Sequence, residues 1–372
     1  MRKTVLISSA TTGFLGNVTS LKVLNNSMKI LLLPNYLRRM VLFFCLFPAI
    51  AFLGIYIVVS ISFLPIAFFL APFSSLKKSP SRHLRFSLMG MWYLLMEVIG
   101  VLVAFILWVG TIFGYFLDSK ISHRIHASVQ YFWTSLILFG ARVFLNATVV
   151  FPSSDVFHSG PLIVASQHSS FFDALIPTIL LGKGGGKIIP RHVLKNDLLL
   201  SPSLDIYGNR LPNIFVTRKA STSGIDISGI KSLATDLGNN ACVIFPEGTF
   251  YSKKAFSRSI EKIELVDPER AALLSALKHL LPIKPGGILG LLNSAPKADL
   301  VLVSHFGFKP FGSFKSIMEN IPFKTPIEIL VKRIPSSSLP LKDSDCLNYI
   351  DAEWLYIDRW LQSKVEEHDS RN

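Results

Sequence analysis

Acidic residues are missing from the opening stretch of the chain. Between Met1 and Met96 there is no Asp or Glu, although Arg2, Lys3, Lys22, Lys29, Arg38 and Arg39 are all there. A basic leader of this kind, with frequent Ser and Thr, has the composition of a transit peptide, or of membrane-flanking sequence in which acid avoidance follows without any targeting role. Cysteine is also scarce. Cys45, Cys242 and Cys346 lie far apart and show no metal-ligand spacing, so no metal is expected and the three read as reduced or buried thiols. No helix-turn-helix, zinc-finger or aromatic RNA-binding signature stands out, so no nucleic-acid partner is expected. Nor is there a Gly-x-Ser-x-Gly elbow, which argues against a serine hydrolase of that type despite Ser166, Ser169 and Ser170. Gly182-Lys-Gly-Gly-Gly-Lys187 lacks the spacing of a nucleotide phosphate loop and reads as a flexible turn.

What is abundant is apolar surface and positive charge. Half of the 372 residues are hydrophobic and the formal charge is +14; the mean hydropathy is +0.45. The charge suits phospholipid headgroups or phosphorylated small molecules, and the apolar excess in the N-terminal third favours a lipid membrane as partner. Leu42 to Ala71 is almost continuously apolar, enough to cross a bilayer core of about 30 Å, with Pro48, Pro65 and Pro72 expected to kink or break it. A second run, Leu88 to Leu117, is interrupted by Glu97. Basic residues flank both runs on every side, so two crossings give no consistent positive-inside orientation. Two re-entrant or interfacial hairpins facing one leaflet fit the charges at least as well. Glu97 reads either as a functional intramembrane acid or as a helix-facing carboxylate. Ile125 to Leu145 has helical spacing and opens the next domain, lying along the membrane.

Strand and helix signals then alternate. Ala147 to Phe151, Pro161 to Ser166, Lys187 to Pro190, Asn213 to Thr217, Ala241 to Pro246, Asp299 to His305 and Ile327 to Val331 read as strands. The expected fold class is α/β, a largely parallel central sheet flanked by helices, with an N-terminal membrane-embedded helical region. The domain divisions are 1–40 for the leader, 41–120 for the membrane helices or hairpins, 121–340 for the α/β domain and 341–372 for a C-terminal amphipathic helix. In that helix Leu347, Ile350, Trp354, Ile357 and Leu361 recur at three- and four-residue steps, with charges on its other face.

Two apolar runs end in polar groups. Ala241-Cys-Val-Ile-Phe-Pro-Glu-Gly-Thr249 delivers Glu247 from a buried strand, with Gly248 leaving room for close approach. Pro161-Leu-Ile-Val-Ala-Ser-Gln-His-Ser-Ser-Phe-Phe-Asp173 contains His-x-x-x-x-Asp. That spacing alone is weak, because about a third of one match is expected by chance, and a second pair, His192 and Asp197, shares it. Residues five apart in a continuous helix point about 140° away from each other. His168 must therefore precede the helix, with Asp173 on the first turn reaching back to one ring nitrogen. Ser170-Phe-Phe-Asp173 is also a capping box, so Asp173 reads equally as a helix cap.

With His168 and Asp173 standing before Phe-Pro-Glu-Gly-Thr, the chain from roughly Ile125 to Arg333 resembles the glycerolipid acyltransferase family, typified by 1-acyl-sn-glycerol-3-phosphate acyltransferases. The resemblance implies single-displacement acyl transfer from acyl-coenzyme A or acyl-carrier protein to a lysophospholipid hydroxyl, with His168 as general base, Asp173 orienting it and no cofactor. It selects His168 over His192, whose segment is a connector without catalytic role in the family. Asn213-Ile-Phe-Val-Thr-Arg218 matches the phosphate-binding motif, which makes Arg218 an acceptor ligand. Glu247 and Gly248 correspond to acceptor-binding positions, beside Thr249. Lys284, in Leu281-Pro-Ile-Lys-Pro-Gly-Gly287, belongs to a further family element, set off here by an added segment holding Glu261, Glu264, Asp267 and Glu269. Phe250 departs from the family, which often has Arg there, and the last motif, Leu300 to Ser304, lacks its proline. The resemblance also implies a membrane-attached enzyme whose site faces the cytosol or an organelle stroma or matrix.

Overall fold

The computed structural model describes residues 30–31, 33–70, 79–170, 172–184, 188–216 and 224–370. Among the described residues, three long helices come first. Helix α1 spans Asn35–Leu70, α2 Ser79–Gly110 and α3 Lys120–Gly140, extended by a π-turn at Ala141–Leu145. All three are long and apolar enough to cross a membrane. Pro48 and Pro65 lie inside α1 without dividing it. The expected hairpins are thus a single one, α1 against α2, with α3 joined to the domain that follows.

Seven strands form one sheet: β1 Val149–Val150, β2 Leu162–Ser166, β3 Pro190–Lys195, β4 Ile214–Val216, β5 Ala241–Ile244, β6 Asp299–Phe306 and β7 Ile327–Ile334. Their order is β1-β7-β6-β2-β5-β3-β4, parallel except where β7 pairs antiparallel to β6. Between them run α4 (Ile176–Lys183), α5 (Pro202–Arg210), α6 (Gly224–Ala234), α7 (Lys253–Glu264), α8 (Pro268–Leu274), α9 (Pro285–Ser294) and α10 (Phe314–Asn320), and α11 (Asp343–Asp369) closes the chain. Six strands fall within or nearly match their expected ranges. The seventh, β3, expected over Lys187 to Pro190, shares only Pro190 with that range and runs on to Lys195. Its alternation is weak because its carboxyl half is only half-buried.

The central strands β2 and β5 are buried on both faces, so each reads as a continuous apolar run. Their side chains alternate between two cores. Leu162, Val164 and Val243 face the side covered by α2, α3 and α4; Ile163, Ala165, Cys242 and Ile244 face the side covered by α6, α9 and α11. In α11 the buried stripe is Cys346, Ile350, Trp354, Ile357 and Leu361, with Leu347 half-buried. Its charges are not all on the outer face. Asp351 is buried against Arg270, and Asp358 accepts from the backbone N–H groups of Lys278, His279 and Leu280.

Polar contacts tie α1 and α2 to α5. The Arg38 guanidinium meets buried Asp205 at 2.7 Å and Arg39 meets it at 3.0 Å. Glu97 accepts from Ser201 Oγ at 2.6 Å and from the Ser203 N–H at 2.9 Å, which makes it a cap on the start of α5. The helix-facing reading of Glu97 therefore holds. Helix α2 stays in contact with the α/β domain from Arg85, which donates to Phe144 O, to Ala104 O, which accepts from Arg210. Away from that contact, Phe52, Ile55, Phe105, Ile106, Phe132 and Phe139 are exposed, forming an apolar outer surface.

Candidate active site

The sheet register builds the site. Strand β2 lies between β5 and β6, with Ala165 opposite Ile244 and Ser166 opposite Val303. Carrying those offsets past the strand ends sets His168 beside both Glu247 and His305. Side chains fasten the three ends together. Gln167 Oε1 accepts from Ser304 Oγ at 2.6 Å and from the His305 N–H at 3.0 Å, and Glu247 Oε1 accepts from the His168 N–H at 2.8 Å.

His168 stands ahead of its helix, and α4 begins only after a tight turn at Asp173–Leu175. Its Nδ1 lies 3.0 Å from Asp173 Oδ1. The other carboxylate oxygen accepts from the N–H groups of Ser169 at 2.5 Å and Ser170 at 2.7 Å, while the Asp173 N–H donates to Ser170 Oγ at 3.1 Å. Both sequence readings of Asp173 are realised at once, because one oxygen orients the ring and the other holds the cap. Burial opposes the Asp173 charge, but the hydrogen bond with His168 and the close approach of the His305 ring outweigh it and hold the group down at about 2.

An ionised carboxylate at Nδ1 places the ring proton there and leaves Nε2 as the basic nitrogen. The His168 side chain retains 9% of its surface exposed, so the dyad is covered but not sealed. Phe245 and Phe250 pack on the ring at centroid distances of 4.5 and 4.3 Å. Lys195 Nζ lies 3.5 Å from Nε2.

Three participants were not legible from motif spacing. Lys195 comes from the segment taken as a connector; β3 is the second strand over from β2, and its longer course carries the amine to His168. Gln167 lies inside the quoted motif, yet its role depends on β6. His305 is buried with Nε2 3.3 Å from Asp173 Oδ2, an approach outside hydrogen-bond alignment, and neither ring nitrogen has a hydrogen-bond partner among the described residues. Its only sequence signal was an ionisable residue ending a buried strand.

Glu247 sits beneath this group. Its Oε2 accepts from the Leu281 N–H at 2.9 Å, so its two oxygens brace the β2 turn against the segment before α9. Burial pushes the carboxyl up to about 8, against the pull of the two N–H donors. Gly248 has φ +74°, a backbone conformation that favours glycine, and the Lys284 side chain folds over it, with Nζ 2.4 Å from where a Cβ would lie. Thr249 is exposed beside them. Arg218 lies outside the described residues, just past the Val216 end of β4.

The rival pair has a different fate. His192 lies within β3, buried, with Nε2 3.2 Å from Thr178 Oγ1 and its N–H donating to Asn213 Oδ1. Desolvation lowers its pKa to about 4, so it is a neutral core residue.

Residues 148–288 match the family model described as Acyltransferase. Among solved structures the chain is similar to the 1-acyl-sn-glycerophosphate (LPA) acyltransferase PlsC from Thermotoga maritima. The identity is 13% and the TM-score 0.42, over 74% of this chain and 97% of that one. No curated protein matches the chain.

Proposed function

We propose, for a chain whose residues 148–288 form a domain of the acyltransferase family, that it is a membrane-bound O-acyltransferase. It moves an acyl group from a thioester of coenzyme A or acyl-carrier protein to the free hydroxyl of a lysophospholipid, with lysophosphatidic acid as first candidate and phosphatidic acid as product. The observation that carries this reading is His168 at the carboxyl end of the central strands, its Nδ1 held by Asp173 and its Nε2 directed away from that carboxylate.

The acceptor hydroxyl takes the place of Lys195 at Nε2 and gives up its proton to the imidazole as its oxygen attacks the thioester carbonyl. The carbon–oxygen bond forms, the carbon–sulfur bond breaks, and the thiolate recovers the proton from the imidazolium. No acyl-enzyme is required. Asp173, held ionised, supports the imidazolium and fixes its orientation, and a positioned base of this kind contributes about 10²–10⁴ in rate. Arg218 serves the acceptor phosphate, and Lys284, folded over Gly248 near Thr249, is a further cation for a substrate phosphate. Glu247 acts from beneath by holding the His168 backbone.

Helices α1, α2 and α3 attach the enzyme to lipid through their apolar outer surface. Because α2 keeps one side against the α/β domain along much of its length, a hairpin lying in one leaflet fits better than two crossings. A second acceptor class, glycerol 3-phosphate or another lysophospholipid headgroup, is favoured by Phe250. Where many relatives place Arg, this ring packs on His168 and offers no charge.

The test is labelled oleoyl-coenzyme A with a panel of lysolipids and the full chain in detergent. Incorporation into one acceptor, lost in His168→Ala, is expected. Equal background into every acceptor, or an unchanged rate in His168→Ala, overturns the reading in favour of a non-catalytic membrane-binding relative.

A further inference from the structure

The added segment before α9 builds a groove that the dyad does not use. Helix α7 carries Lys254, Arg258 and Lys262 at four-residue steps, so their side chains follow one another along the helix, about 6 Å apart and about 12 Å from first to last. With Lys284 they line a cavity of about 320 Å³ floored by Glu247 and Thr249, within the range of small-ligand sites at about 300–1,000 Å³. Among the described residues, none of the four cationic side chains is hydrogen-bonded or ion-paired, and Glu261 and Glu264 of the same helix pair with none of them. Glu247 leaves the charge uncompensated, since its oxygens are turned to the backbone of His168 and Leu281. The Lys284 amine is pushed below its usual range, first by partial desolvation and then by repulsion from Lys262. Four unneutralised cations converging on one concavity make a polyanion site.

Its position selects the anion. The groove lies on the sheet face covered by α6, α9 and α11, against which Phe256, Ile260 and Ile263 of α7 pack. The apolar helices α2 and α3 cover the opposite face. A groove on the face away from those apolar helices suits a water-borne ligand better than a lipid one. A row of three cations is also longer than one phosphate monoester needs, and suits a diphosphate with a further phosphate beside it. The floor of the groove is Glu247, bonded directly to His168, so a ligand anchored here reaches the dyad with a flexible arm.

We propose that this groove is the donor's phosphate site, taking the diphosphate and 3′-phosphate of a coenzyme A thioester. The proposal rests on the acyltransferase reading and adds to it which face of the sheet receives the donor.

The experiment uses the full chain in detergent, with Arg258→Glu/Lys262→Glu and the milder Arg258→Gln/Lys262→Gln. Coenzyme A itself is titrated by calorimetry, and KM is measured separately for oleoyl-coenzyme A and for the acceptor. The charge reversal is expected to raise both the coenzyme A Kd and the donor KM by roughly tenfold or more. The acceptor KM and kcat stay unchanged, the Gln variant falls between, and 3′-dephospho-coenzyme A loses affinity for the wild type only. A rise confined to the acceptor KM overturns the proposal, because the groove then holds a headgroup phosphate. It is equally overturned if coenzyme A affinity is unchanged while binding to phosphatidylglycerol vesicles falls, or while only acyl-carrier protein loses activity. If the wild type transfers no acyl group from any thioester, the enzymatic reading falls, and the coenzyme A titration still decides the groove by itself.

Discussion

His168 and His192 each stand five residues ahead of an aspartate, yet one meets its aspartate at the sheet edge and the other is a core residue. The difference lies in where the strand stops. Strand β2 ends at Ser166, so His168 falls in the turn beyond it, where the backbone can fold Asp173 back onto the ring. Strand β3 does not end before His192 but runs three residues past it to Lys195. The ring is thereby held in the sheet against Thr178, and burial keeps it uncharged. Identical spacing produces a dyad only when a strand end opens the turn between its members.

The largest expected effect separates the two histidines directly. His168→Ala lowers kcat by about 10²–10⁴. His192→Asn leaves kcat near that of the wild type and lowers Tm by about 2–4 °C, the scale of one buried hydrogen bond in a domain of this size. Equal kinetic losses in the two variants would erase the distinction.

Next comes Asp173→Asn, which removes the charge from His168 but keeps an oxygen for the cap. A fall in kcat of about 10² or more with little change in melting temperature is expected. If the melting temperature collapses while kcat per folded molecule is retained, Asp173 serves the cap alone.

A smaller effect is expected at His305, which crowds the far oxygen of Asp173. His305→Ala should lower kcat by roughly tenfold at unchanged KM, and His305→Asn should recover part of the loss. A matching change in KM, or no recovery, would mark His305 as packing rather than positioning.

The smallest effect is on stability against pH. Glu247 holds its proton up to about pH 8 in the fold but only to about 4.3 in the unfolded chain, so the native state binds more protons between those limits. Stability therefore declines as pH rises through that window, and Glu247→Gln flattens the slope of Tm against pH. Asp173 acts in the opposite sense, because its pKa is held down at about 2. Its contribution is present above about pH 3.9 and is lost as pH falls toward 2.

Much of this was legible in the chain itself. The apolar runs Leu162–Ser166 and Ala241–Ile244 announce buried strands by composition alone, and His168, Asp173 and Glu247 follow because polar groups ending such runs lie at the carboxyl edge of a sheet. Strand β3 was misplaced because half-burial leaves no periodicity to read, and Lys195 was missed with it. Asp351 and Asp358 read as solvated charges on α11, but their partners lie far off in sequence, at Arg270 and at the backbone of Lys278 to Leu280.

By itself the amino-acid order determined the fold class and the apolar N-terminal helices, because burial patterns act over a few residues, while the choice of His168 over His192 came from the family resemblance. Only the tertiary structure decided that β6 would bring His305 to the aspartate, that β3 would bring Lys195 to the imidazole, and that an added helix would line up cations beside Glu247. Those outcomes depend on the order and register of strands far apart in the chain, and that choice is made by how the two cores pack.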